Sequence, residues 1–158
     1  LLLTGEVTPV CNLLECWKIE LRRGLEALHD PTQLAAGPRR MFHNVASSVV
    51  ENLNRRPPWV LKDPRMSLTF GYWKPHLGDG AVVVIVSRDP MDVACSLKKR
   101  NRMPITYGLA LWETHVVSLL RESAGWPRLL VSYDKLMADP RRQIQALHAG
   151  LAQLRVPL

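Results

Sequence analysis

Six apolar residues in a row, Ala-Val-Val-Val-Ile-Val at positions 81–86, constrain this chain more than any other stretch. The run is rich in β-branched types and does not alternate, the pattern of a strand buried on both faces of a parallel sheet. It stops at Ser87-Arg88-Asp89-Pro90. Asp89 suits a helix N-cap. Pro90 suits the first helical turn, where its missing N–H has no intrahelical partner to lose. Met91, Ala94, Cys95 and Leu97 then recur at helical spacing. Residues 81–100 are therefore predicted to form a strand, a tight turn carrying an arginine, and a helix. At the carboxyl edge of a parallel sheet, free N–H groups at such a helix start attract phosphate. Arg88 stands at that edge, Ser96 and Arg100 lie four apart on one helix face, and Lys98 and Lys99 add charge.

The rest of the chain can support such a sheet. It has 158 residues, 47% of them hydrophobic, enough for a single domain, residues 1–158, with a real core. A net charge of +7 favours an anionic partner: a nucleotide, a phosphate or sulfate ester, an acidic polymer or nucleic acid. Cys11, Cys16 and Cys95 form no metal-binding pattern, although Cys11 and Cys16 are near enough to pair in an oxidising compartment. No segment approaches the roughly 18 apolar residues of a membrane span. The first ten residues lack the basic start of a signal peptide. The chain does not begin with Met and reads as a fragment.

Leu14, Trp17, Leu21, Leu25 and Leu28 form an apolar stripe that predicts a helix over 12–29. Asp30-Pro31 and Gly37-Pro38 punctuate a loop. Phe42, Val45, Val49 and Leu53 predict a second helix over 39–54. Residues 59–62 read as a second buried strand, leading into Lys62-Asp63-Pro64-Arg65 and a short helix with Met66, Phe70, Trp73 and Leu77 inward. After the opening stretch come a helix over 105–123, a strand at 129–132 followed by Tyr133, and a last helix started by Asp139-Pro140. Strands alternating with helices imply an α/β fold whose parallel sheet is flanked by helices.

Two of these strands lead into basic tetrads, Lys62-Asp63-Pro64-Arg65 and Ser87-Arg88-Asp89-Pro90. In a parallel sheet both would face one edge and make an anion pocket, arginine as a planar fork and lysine as a point charge. The plainer alternatives are a loop salt bridge to Asp63 and a helix-start pair between Arg88 and Asp89 or Asp92. Basic residues do not cluster on one helix with aromatics between them, so no nucleic-acid interface is expected.

The stretch RDPMDVACSLKKR resembles the 3′-phosphate-binding motif of sulfotransferases that use 3′-phosphoadenosine 5′-phosphosulfate (PAPS). There, an arginine ends a strand and a serine follows eight residues later. Arg88 and Ser96 fit it, and Arg100 fits the second arginine of the tyrosylprotein branch. VLKDPR at 60–65 resembles the KDPR segment of bacterial-type sulfotransferase domains, and GLALWETHVVSLL at 108–120 their intervening helix. LLVSYDKLMADPRRQI at 129–144 resembles the segment after the family's later strand, with Tyr133 at its nucleotide-flanking tyrosine. The likeness covers residues 59–148.

This resemblance implies a P-loop NTPase-like sulfotransferase fold and transfer of a sulfuryl group from PAPS to an acceptor hydroxyl or amine. PAP, the 3′,5′-bisphosphate, is the product, and no metal takes part. Lys62 is implied as the cation at the leaving oxygen, and Arg65 as a donor- or acceptor-binding residue or a loop brace. Arg88, Ser96, Arg100 and Tyr133 are implied to hold the nucleotide. No base is assigned among His43, His76 and His115. The family's Gly-rich loop for the 5′-phosphosulfate has no match here. The fold is therefore expected to be truncated at its N-terminus, with weak nucleotide affinity and little activity. The alternative is a non-catalytic nucleotide- or anion-binding module on the same fold. A P-loop kinase is disfavoured because no G-x-x-x-x-G-K-[ST] loop is present.

Overall fold

The computed structural model of the chain describes residues 36–156. The helix expected at 12–29 and the pair Cys11 and Cys16 lie outside them. Among the described residues the fold is α/β, with six helices and one two-stranded parallel sheet flanked by helices. The chain divides into two compact units, the first ending at Leu77 and the second starting at Gly78, at the Gly78-Asp79-Gly80 turn.

In the first unit, Phe42, Val45, Ala46, Val49 and Val50 recur at steps of three and four and form one face of α1 (Ala36–Asn54). The helix takes in Gly37 and Pro38, which were expected in a loop. A proline in the first turn gives up no intrahelical hydrogen bond, so it does not delay the start. The stripe packs on Tyr72 and Trp73 from α2 (Met66–Trp73), with Phe42 edge-on to both rings at 5.3 and 5.6 Å. A short 3₁₀ helix (Lys74–His76) follows α2 directly.

Residues 59–62 do not form the expected strand. The segment has the alternation of one: Trp59 and Leu61 pack on the α1–α2 core while Val60 is 81% exposed. Among the described residues it has no partner strand, and a backbone without a ladder is not a sheet. The Trp59 indole N–H instead donates to Asn54 Oδ1 at 2.9 Å, tying the segment to the end of α1.

The second unit begins with β1 (Val83–Ser87), followed by α3 (Pro90–Asn101), α4 (Ile105–Glu122), β2 (Arg128–Ser132), α5 (Tyr133–Ala138) and α6 (Pro140–Gln153). β1 and β2 pair in parallel, Val83 opposite Arg128 through Ser87 opposite Ser132. β1 is not buried on both faces as its sequence implied: Val84 and Val86 are 40% and 60% exposed. Among the described residues only β2 lies beside it, so an unbroken apolar run finds incomplete cover. The short α5 was not anticipated. Six residues are too few for a periodic signal, and its start is marked only by Ser132, whose Oγ accepts from Lys135 N–H at 3.4 Å.

α3 and α4 meet where both side chains are smallest. A Cβ built on Gly108 would lie 3.0 Å from both Cα and Cβ of Ala94, itself fully buried. α6 approaches β2 through Gly150, where a Cβ would lie 2.9 Å from a terminal methyl of Leu129. The obstacle at Gly108 is helix backbone; the obstacle at Gly150 is the end of a flexible side chain. Alanine improves helix propensity by about 1 kcal/mol at either site, but overpacking costs about 1–3 kcal/mol where the neighbour cannot move. Gly108→Ala is therefore expected to lower the urea midpoint and Gly150→Ala to leave it unchanged or raise it. The opposite order would show that the α3–α4 contact has slack.

Candidate functional site

The register of the two strands builds the site. Ser87 and Ser132 are level partners at the carboxyl ends of β1 and β2, so the residues after them, Arg88 and Tyr133, emerge side by side. The Arg88 guanidinium lies over the Tyr133 ring, its central carbon 4.8 Å from the ring centroid. Such a stack contributes about 0.5–2 kcal/mol and sets the direction in which the arginine points. Two segments 45 positions apart in sequence are thus joined at one edge of the sheet.

Asp89 caps α3 as its sequence predicts, and this closes the helix start to anions. Met91 and Asp92 N–H donate to Asp89 Oδ1 at 2.8 and 3.2 Å, and Val93 N–H donates to the Asp89 carbonyl at 3.1 Å. Pro90 has no N–H to offer. The expectation of free N–H groups awaiting phosphate at this turn is therefore corrected, because the cap occupies them. Positive charge at this edge comes from side chains.

Arg88 supplies it. Its Nη2 lies 3.6 Å from Asp92 Oδ2, the pairing that the plainer sequence reading foresaw. Its Nε is buried and has no hydrogen-bond acceptor among the described residues. A buried donor left unpaired costs about 1–3 kcal/mol. An ion pair as exposed as Arg88–Asp92 contributes about 0–1 kcal/mol, whereas a charged hydrogen bond to phosphate contributes about 1.5–3 kcal/mol.

Asp92, Ser96 and Arg100 follow at steps of four along one stripe of α3. Arg88 leans onto the first of them. From Asp92 to Ser96 is one helical turn, about 6 Å of rise, within the span of a phosphate and its hydrogen bonds. Ser96 and Arg100 are both exposed, and Arg100 Nε donates to Asn101 Oδ1 at 2.7 Å. α3 ends at the next position, where Arg102 takes left-handed backbone, φ 56°.

The second tetrad differs. Lys62-Asp63-Pro64-Arg65 is in the first unit and does not follow a strand, so no shared sheet edge joins it to Arg88. Arg65 grips Asp63: its Nε and Nη2 donate to the two carboxylate oxygens at 2.8 and 2.6 Å, and its backbone N–H donates to Oδ1 at 2.8 Å. This is the loop brace that the sequence offered as one role for Arg65. Lys62 is exposed, and its charge acts on the Asp63 carboxylate beside it.

His115 lies on α4, whereas His43 and His76 meet in the first unit with ring centroids 4.8 Å apart. Weighed one at a time in the sequence, these two carried no signal, because 33 positions separate them. No group of three or more His, Cys, Asp or Glu side chains is placed to hold a metal ion among the described residues. No described helix is long and apolar enough to cross a membrane.

No family model, curated protein or solved structure matches this chain.

The Asp63 loop makes its own test. The Arg65 side-chain hydrogen bond holds the Asp63 carboxyl below its usual value, against burial, which pushes it up; the Arg65 N–H and the charges of Arg65 and Lys62 add to the lowering. A depressed carboxyl stabilises the fold above its unfolded-state value, and that stability is lost as pH falls. Asp63→Asn is expected to cost about 1 kcal/mol at neutral pH by urea unfolding. The difference from wild type should shrink as pH drops below about 4. A difference that persisted at pH 2 would assign the loss to something other than the carboxylate.

Proposed function

We propose that this chain is a PAPS-dependent sulfotransferase domain with a P-loop NTPase-like fold, and that Arg88, Ser96 and Arg100 hold the nucleotide 3′-phosphate beside Tyr133. The observation that carries the reading is Arg88 at the sheet edge, stacked on Tyr133 with its buried Nε lacking an acceptor. In the motif that RDPMDVACSLKKR resembles, the equivalent arginine holds phosphate. The Arg88–Asp92 contact adds direction, turning the guanidinium along the face that carries Ser96 and Arg100.

The reaction is transfer of a sulfuryl group from the nucleotide to an acceptor hydroxyl or amine, releasing PAP. It parallels phosphoryl transfer: displacement is in line, and charge grows on the oxygen that leaves with the nucleotide. A fixed cation stabilises that charge without reorganising. By the same resemblance Lys62 is that cation, and its side chain is exposed. Arg65 takes the structural part of the motif, because Asp63 engages its guanidinium. Protein cations do the charge stabilisation, so the transfer uses no metal.

Calorimetry with PAP and with 5′-AMP, which lacks the 3′-phosphate, tests the assignment. PAP is expected to bind at least ten times more tightly, the equivalent of one charged hydrogen bond of about 1.5–3 kcal/mol. Arg88→Ala should remove most of that preference and Ser96→Ala part of it, with 5′-AMP binding little changed. Equal affinity for the two nucleotides, or a PAP affinity indifferent to both substitutions, would end the proposal. PAP binding together with no transfer by a chain that carries the 5′-phosphosulfate loop would instead favour a module that holds nucleotide without chemistry.

A further inference from the structure

The first unit contains a second cluster that the nucleotide reading does not use. His43 lies on the exposed side of α1, with Ser47 one turn later on the same face. His76 ends the 3₁₀ helix and is half-buried. The two imidazole centroids are 4.8 Å apart, with planes inclined at 51°. Ser47 Oγ lies 3.1 Å from His76 Nδ1.

Two histidines set this close do not help each other as cations. A neutral imidazole keeps one nitrogen lone pair. An uncharged imidazole is also the form that ligates metal. Two imidazoles bound through nitrogen at about 2.0–2.1 Å to one tetrahedral Zn²⁺ have centroids roughly 5 Å apart. The observed separation of 4.8 Å is close to that spacing.

Ser47 completes the pattern. With Nδ1 protonated, His76 donates to Ser47 Oγ and presents Nε2 as the free lone pair. Metal-binding histidines nearly always hand their other N–H to such a partner, which fixes tautomer and ring orientation. Phe42, one position before His43, sets its ring 6.5 Å from that of His76 and limits the space on that side.

We propose that His43 and His76 chelate a divalent transition-metal ion of the Zn²⁺ type, with Ser47 orienting His76. Among the described residues no third His, Cys, Asp or Glu joins them, so water or a bound ligand fills the remaining positions. The site is an open two-histidine chelate of modest affinity. It ties α1 to the end of the 3₁₀ helix across 33 positions of chain, so ion binding stabilises the first unit. It shares no residue with the nucleotide site, and neither proposal depends on the other.

Titration of the full chain with ZnCl₂ at neutral pH, thiols kept reduced, tests this by calorimetry and by thermal unfolding with and without Zn²⁺. Wild type should bind Zn²⁺ in the micromolar range and melt at higher temperature when loaded. His43→Gln and His76→Gln should each weaken binding at least tenfold and abolish the thermal gain, and Ser47→Ala should weaken it by a smaller factor. If His76→Gln does not fold, His43→Gln decides alone, because the His43 ring is exposed. A wild type that binds no Zn²⁺ overturns the proposal. So does Zn²⁺ affinity that survives His43→Gln unchanged, since other groups would then hold the ion.

Discussion

The parallel pairing of β1 with β2 is the interaction on which the proposed nucleotide half-site depends. Five residue pairs in register end with Ser87 opposite Ser132, and so fix where Arg88 and Tyr133 leave the sheet. A slip of one position would move every side chain to the other face and separate the arginine from its ring. The guanidinium is therefore oriented by backbone hydrogen bonds several residues away. That is a firmer support than an exposed ion pair, which contributes about 0–1 kcal/mol.

Packing behind the strands keeps that register. α3 and α4 fill the connection from β1 to β2 and meet at Gly108 and Ala94, a contact too close for any larger side chain. α6 covers β2 through Gly150 against Leu129. The Asp89 cap matters in the same way. By taking the first N–H groups of α3 it stabilises the helix that displays Ser96 and Arg100, and it leaves anion binding to side chains. Capping and anion binding compete for the same amides, and at this turn the cap wins because its carboxylate is part of the chain.

Much of this was legible in the sequence because it depends on neighbours along the chain. The cap-and-proline starts at Asp89-Pro90 and Asp139-Pro140, the three longer helices of the second unit and both of its strands follow from local chemistry and periodicity. Residues 59–62 were misread for a physical reason. A short apolar run suits equally a strand in a ladder and an extended segment laid on a helix, and only the presence of a partner separates the two. The exposure of Val84 and Val86 has the same cause: residue type states a preference for burial, whereas neighbouring elements decide how much is obtained.

The sequence by itself determined which residues carry cations and where strand turns to helix, since both are properties of residues adjacent in the chain. The resemblance to the sulfotransferase motif joined Arg88, Ser96, Arg100 and Tyr133 as one candidate set, and the sequence offered both the Arg65–Asp63 brace and the Arg88–Asp92 pair as alternatives. Tertiary structure alone decided that Arg88 stacks on Tyr133 with its Nε unmet, and that His43, Ser47 and His76 converge. Each of these depends on the distance between groups on different elements, which is not encoded by spacing along the chain.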